Sequence, residues 1–185
     1  MKHWQYRKGP DGTAPAHWAE HLSISPLLLR ILWQRGLNDV DKLEHFLSPR
    51  LQSLTPPHAW PQIPQAAELL AKELLAGKKI VVWGDYDVDG ITATTLVLDV
   101  LEAHGIPAAW HLPDRRSEGY GLNMTALKTL SEKGVTLLIT VDCGITAVRE
   151  TQYAKELGID MVITDHHECK DALPDAVAVV DPHRK

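Results

Sequence analysis

The stretch KIVVWGDYDVDGITATTLVLDVLEAHG, Lys79 to Gly105, runs from unbroken apolar residues through three alternating acids into a helix-forming segment. Ile80 to Trp83 shows no polar face, so it reads as a short strand buried on both sides. ITATTLVLDVLEAHG then reads as a helix closed by Gly105. Asp85, Asp87 and Asp89 occupy the link between the two. A strand that feeds directly into a helix opens a βαβ unit, and such units build parallel sheets.

Outward from this stretch the same alternation repeats. AAELLAKELLAGKK predicts a helix ending at Gly77, and IPAAWHLP a strand. NMTALKTLSEKG predicts a helix capped by Asn123 and closed by Gly134, followed by the strand VTLLITVD, the helix TAVRETQYAKELG and the strands IDMVITD and DAVAVVDP. The expected fold is therefore α/β, a parallel sheet with helices on both faces. Ahead of it, SPLLLRILWQRG carries Ser25 as N-cap, Pro26 at the first helical position and Gly36 as a stop. NDVDKLEHFL offers a second helix with Val40, Leu43, Phe46 and Leu47 on one face. LTPPHAWPQIP breaks periodicity and reads as a linker. The domain expectation is a helical lead-in and linker over 1–62 and an α/β domain over 63–185.

Composition narrows the class. At 44% hydrophobic and 23% charged residues the 185-residue chain is globular in type, and no apolar run approaches the ~20 residues needed to span a bilayer. The basic start MKHWQYRKGPDG has no apolar region behind it, which argues against a secretory signal. Cys143 and Cys169 lack CxxC spacing and suit a reducing cytoplasm, the expected location. A net charge of −5 gives no sign of a broad basic face, although acids at a metal site are neutralised by the ions they hold.

Ligands of parallel sheets gather beyond the carboxyl ends of the strands. Asp85, Asp142 and Asp165-His166-His167 each follow a predicted strand, and PDRRSEGYG follows another. DYDVDG matches the opening of a calcium-binding EF-hand loop, but the twelfth position is Leu96 instead of Glu, and the segment follows a strand. The acidic pocket of a phosphoacceptor receiver domain would not require paired histidines. Any single Asp is accounted for as a helix cap; Asp85, Asp87, Asp89, Asp142 and Asp165 together would repel one another without cations. Carboxylates with imidazoles and no thiolates suit Mn²⁺ or Mg²⁺. Two such ions about 3.5–4 Å apart would activate water for phosphoester hydrolysis. Gly84 and Gly90 would allow close backbone approach, the helix beginning near Ile91 would offer N–H groups to a phosphate, and Arg115 would clamp one.

GDYDVDG, RSEGYGL, VDCGI and TDHHE, in this order, resemble the motifs of the DHH phosphoesterase superfamily, most closely its RecJ branch of bacterial single-strand-specific exonucleases. LLLRILWQRGL and KLEHFLSPRLQSL are similar to the helical lead-in of that branch. The resemblance implies that Asp87, Asp89, Asp142 and His166 bind two divalent ions, Mn²⁺ or Mg²⁺, with Asp142 bridging and Asp85 joining the first. It implies catalytic roles for Asp142, His166 and His167, with His167 near the scissile phosphate or orienting a ligand, Asp165 supporting the histidines from behind, and Arg115 on substrate phosphate. The activity implied is 5′ to 3′ hydrolysis of single-stranded DNA in recombination and repair, with single-strand-binding protein and a helicase as partners and no membrane.

Members carry a further metal-binding aspartate and a second domain downstream, so the chain is expected to be an N-terminal part that is poorly active alone, Asp171, Asp175 and Asp181 lying too near His167 to replace that ligand. Two alternatives stand. Small-substrate phosphatases of the superfamily place a His where this chain has Trp83, and a non-catalytic scaffold would have lost motif residues.

Overall fold

Capping side chains set where two of the N-terminal helices begin. The computed structural model describes His3 and residues 12–184. The absence of a signal read from residues 1–12 falls, His3 and Gly12 apart, outside the described residues. The chain divides into two units, Met1–Thr55 and Pro56–Lys185. In the first, α1 (His17–His21) precedes α2 (Pro26–Gln34), whose N-cap Ser25 accepts a hydrogen bond from Leu28 N. Asp39 caps α3 (Val40–Leu47) by accepting from Asp41 N and Lys42 N. Ala19, Leu29, Leu32 and Leu43 are buried together. The expected apolar face of α3 is only partly realised: Leu43 is buried and Leu47 packs beside it, whereas Phe46 is 60% exposed. Leu43 and Leu47, four apart, share one line of the helix, and Phe46 stands off it.

In the second unit the five predicted strands form one parallel sheet. They are β1 (Ile80–Trp83), β2 (Ala108–His111), β3 (Leu137–Val141), β4 (Asp160–Thr164) and β5 (Ala178–Val180), in the order β2-β1-β3-β4-β5. Side chains alternate across it. Ile80, Val82, Leu137, Ile139 and Val162 meet α4 (Gln62–Leu75) and α5 (Val88–Ala103) on one face. Val81, Trp83, Leu138, Met161 and Ile163 meet α6 (Met124–Glu132) and α7 (Val148–Glu156) on the other. Helices on both faces explain why β1 and β3 are buried at every position.

Two expectations change. LTPPHAWPQIP is not wholly a linker, because Pro57–Ala59 form a 3-10 turn and α4 already starts at Gln62. Pro64 falls in the first turn, where an N–H would have no intrahelical partner. β2 is an edge strand and not a doubly buried one; Trp110 is 62% exposed.

The order reverses between β1 and β3: the chain leaves β1 for β2 on one side and later builds β3, β4 and β5 on the other. Loops at such a reversal part and leave a crevice beyond the carboxyl ends of the two strands. Gly90 closes the link from β1 to α5 tightly, since a Cβ there would meet the backbone N, C and O of Asp85. Gly84 is equally confined by Thr94 Oγ1 and Gly90 O. Gly→Ala inside a helix ordinarily stabilises by about 0.5–1 kcal/mol. Gly90→Ala is expected to do the reverse and cost roughly 1–3 kcal/mol through overpacking, read as a lower urea midpoint; an unchanged or higher midpoint would show that this link can part.

Candidate metal centre

The crevice between β1 and β3 is where the acids converge. Asp85 follows β1 by two residues and is 3% exposed; its Oδ1 has no hydrogen-bond partner among the described residues. Asp87 is the N-cap of α5, its Oδ1 accepting from Asp89 N at 2.9 Å and Gly90 N at 3.2 Å. Asp142 follows β3 directly with φ 61°, and its N donates to Thr164 O at 3.0 Å. One carboxylate oxygen from each of Asp85, Asp87 and Asp142 lies within 4.8 Å of the others.

A second group adjoins the first. A donor atom from each of Asp142, His166 and His167 lies within the same 4.8 Å span, so Asp142 belongs to both groups. His166 Nε2–H donates to Asp142 Oδ1 at 2.9 Å. Behind the histidines, Asp165 Oδ1 accepts from His166 N, His167 N and His167 Nδ1 at 2.7, 3.1 and 2.7 Å. Its Oδ2 accepts from Ile145 N at 2.9 Å, tying the loop after β4 to the loop after β3. With Nδ1–H committed to Asp165, His167 keeps Nε2 free for a metal or a phosphate.

Residues 79–185 match the DHH family, N-terminal domain. The chain belongs to the DHH family. The name describes Asp165-His166-His167, the segment whose hydrogen bonds were just given. Curated relatives are similar well beyond these motifs. The single-stranded-DNA-specific exonuclease RecJ of Bacillus subtilis is 37% identical over 179 residues, 97% of this chain and 23% of that protein. RecJ of Thermus thermophilus is 35% identical over 158 residues, 82% of this chain and 22% of that protein. The chain therefore spans about a quarter of the length of the curated relatives it matches. Among solved structures, exonuclease RecJ bound to manganese superposes with a TM-score of 0.62 at 38% identity, covering 66% of this chain and 31% of that one. The Thermus thermophilus RecJ in complex with Mn²⁺ superposes at 0.65 with 30% identity, covering 92% and 24%.

The DHH-family fold brings most of the expected site residues together and leaves others apart. Asp85, Asp87, Asp142 and His166 fall in the two groups, joined by His167, expected as a catalytic and substrate-binding residue but not as a metal ligand. Asp89 lies in the first turn of α5, exposed and outside both groups. Asp175 pairs with Lys155 at 2.6 Å, and Asp181 is buried and accepts from His183 N, so neither reaches the crevice groups. The N-terminus of α5 starts at Val88, earlier than expected, and is no open phosphate cradle: Asp87 already takes the Asp89 and Gly90 N–H groups.

Arg115 has a partner that the sequence reading missed. Its guanidinium carbon stands 5.3 Å from the centroid of the Tyr86 ring, in cation–π range. Tyr86 meets Tyr120 edge-on at 6.4 Å, and Tyr120 meets His167 at 6.0 Å. Tyr86 inside DYDVDG and Tyr120 inside EGYGL were visible aromatic residues, but only the fold shows that their rings touch.

Charge at this site is under opposing influences. Burial pushes the Asp142 carboxyl up from its ordinary range, and the Asp87 charge adds to this, against the His166 hydrogen bond. Burial likewise pushes Asp85 up. The N–H of Gly90, with that of Asp89, holds Asp87 down despite some desolvation. Burial also opposes ionisation of Asp165, but the donors Ile145 N, His167 and His166 N together hold its carboxyl low. The hydrogen bond to Asp165 in turn raises His167. The unpartnered buried Asp85 oxygen and the desolvated Asp142 suit a cation, and oxygen donors with imidazoles fit Mn²⁺ or Mg²⁺.

A raised carboxyl costs stability once it ionises, so Asp142 penalises the metal-free fold above its raised value, and the penalty fades as pH falls toward the ordinary 3.8. Asp142→Asn should therefore raise the thermal midpoint of the metal-free chain at pH 7. The gain should vanish near pH 4, and the rise on adding Mn²⁺ should shrink. A neutral-pH midpoint below wild type would contradict this account of Asp142.

Proposed function

We propose that the gene's full-length product is a divalent-metal-dependent phosphodiesterase that degrades single-stranded DNA from the 5′ end. The observation that carries this reading is the sharing of Asp142 between an all-carboxylate group and a carboxylate–imidazole group at the β1/β3 crevice. One bridging acid between two donor sets is what a paired-ion phosphoryl-transfer site requires. The single-stranded-DNA-specific exonucleases among the relatives, and the manganese in two of the similar structures, agree with it.

Each residue has a part that follows from its surroundings. Asp85, Asp87, Asp142 and His166 are the donors that would hold two ions; Asp89, on the first turn of α5, stands outside both groups. When bound, the ions supply an activated water and neutralise charge on the phosphoryl oxygens. His167, oriented by Asp165, presents Nε2 toward the scissile phosphate. Arg115 approaches from the β2–α6 loop, its plane steadied by Tyr86, and pairs with phosphate oxygens in bidentate fashion. Trp83 occupies the position where small-substrate relatives carry histidine; it is fully buried and its ring packs 4.1 Å from that of His111, so it offers no ligand.

Single-stranded DNA is the partner this assigns, with single-strand-binding protein and a helicase as repair-pathway associates and the cytoplasm as the location. Among the described residues no helix is long and apolar enough to cross a membrane.

The test uses the full-length product with Mn²⁺ on single strands labelled at the 5′ or the 3′ end, beside a cyclic dinucleotide. Early release of label from the 5′-labelled strand alone is expected. Asp142→Ala should lower the rate by roughly 10²–10⁴-fold, the scale of losing a metal-supporting or general-base group. DNA hydrolysis that survives the substitution, or preferential cleavage of the dinucleotide, would reject the assignment.

A further inference from the structure

We propose that Glu118 is a positioning residue that sets the Arg115–Tyr120 loop against the metal-binding residues and so determines affinity for the phosphodiester substrate. This rests on the phosphodiesterase reading above. The loop between β2 and α6 carries both side chains that reach across to Tyr86 and His167. It has no regular secondary structure, so something must hold it.

Glu118 does so from the middle of the loop. Its Oε2 accepts from His111 Nε2 at 2.8 Å and from Asn123 Nδ2 at 3.1 Å. His111 is the last residue of β2 and Asn123 the N-cap of α6, so one oxygen ties together the two ends of the loop. Oε1 accepts from Asp114 N at 3.1 Å, and Glu118 N returns a hydrogen bond to Asp114 O at 2.8 Å. Asp114 Oδ1 then accepts from Arg116 N, Ser117 N and Ser117 Oγ at 2.9 to 3.0 Å. Arg115 is thus fixed on both sides by bonds that lead back to one carboxylate.

The same bonds explain why Glu118 is not a further metal ligand. Both oxygens are occupied by donors, and it falls outside both donor groups of the crevice. All three donors that face the carboxylate require an acceptor, which only the ionised acid supplies at both oxygens. An amide would turn an NH₂ group toward either Asp114 N–H or the His111 and Asn123 pair. Glu118→Gln keeps the shape and breaks the clamp.

The experiment compares wild type, Glu118→Gln and a core control, Ile159→Ala, in the full-length product. Hydrogen exchange over residues 112–122 should quicken in Glu118→Gln but not in the control. KM for a single-stranded oligonucleotide should rise roughly tenfold, the order of one lost charge-assisted hydrogen bond, with kcat within about threefold of wild type. The thermal shift on adding Mn²⁺ should be unchanged. Unaltered loop exchange would overturn the proposal, as would a fall in kcat at constant KM, or a Mn²⁺ response lost with the carboxylate. Should wild type cleave no DNA, the phosphodiesterase reading fails by itself; the exchange and Mn²⁺ measurements then still decide whether Glu118 holds the loop.

Discussion

Four hydrogen-bond donors converge on the carboxylate of Asp165, and the geometry of the candidate metal centre hangs on them. Ile145 N binds one oxygen; His166 N, His167 N and His167 Nδ1 bind the other. The first bond joins the loop after β3 to the loop after β4, and the rest fix where the two imidazoles stand. These donors keep Asp165 ionised in spite of its burial, so its charge is available to hold His167 in one tautomer. Asp142 and His166 can then share a boundary between two donor groups without either side chain having to search for it.

Two of the carboxylates nearest the crevice are held in the opposite condition. Asp85 and Asp142 are desolvated and disfavour ionisation, while Asp87, at the mouth of α5, is kept charged by backbone donors. Divalent cations held there would offset that desolvation, which would link metal affinity to fold stability. Gly90 lets the start of α5 lie directly against the Asp85 backbone, where any Cβ would clash.

Much of this was legible in the sequence, for identifiable reasons. Apolar runs such as Leu137–Val141 are buried on both faces, so composition alone marks them as strands, and alternation with helices then fixes a parallel sheet. Ser25 and Asn123 announced their caps because each precedes a periodic run. Asp87 was different: among three alternating acids, sequence cannot tell a cap from a ligand, and the fold makes one of them both cap and candidate ligand while leaving Asp89 outside. Phe46 was misjudged because hydrophobicity does not say which face an element turns outward. Contacts such as Arg115 on Tyr86, or Tyr120 against His167, join segments that only the sheet order brings together, so no spacing rule could reveal them.

The backbone at Asp142 has φ 61°, a left-handed turn at the very end of β3. Few side chains accept that conformation; glycine does so freely, asparagine and aspartate more readily than the rest. Chemistry makes a separate demand, for a short, anionic, bidentate-capable group reaching into the crevice. Glycine meets only the first requirement, glutamate only part of the second, and asparagine lacks the charge. Stereochemistry and the ligand role proposed for it thus converge on aspartate at this position.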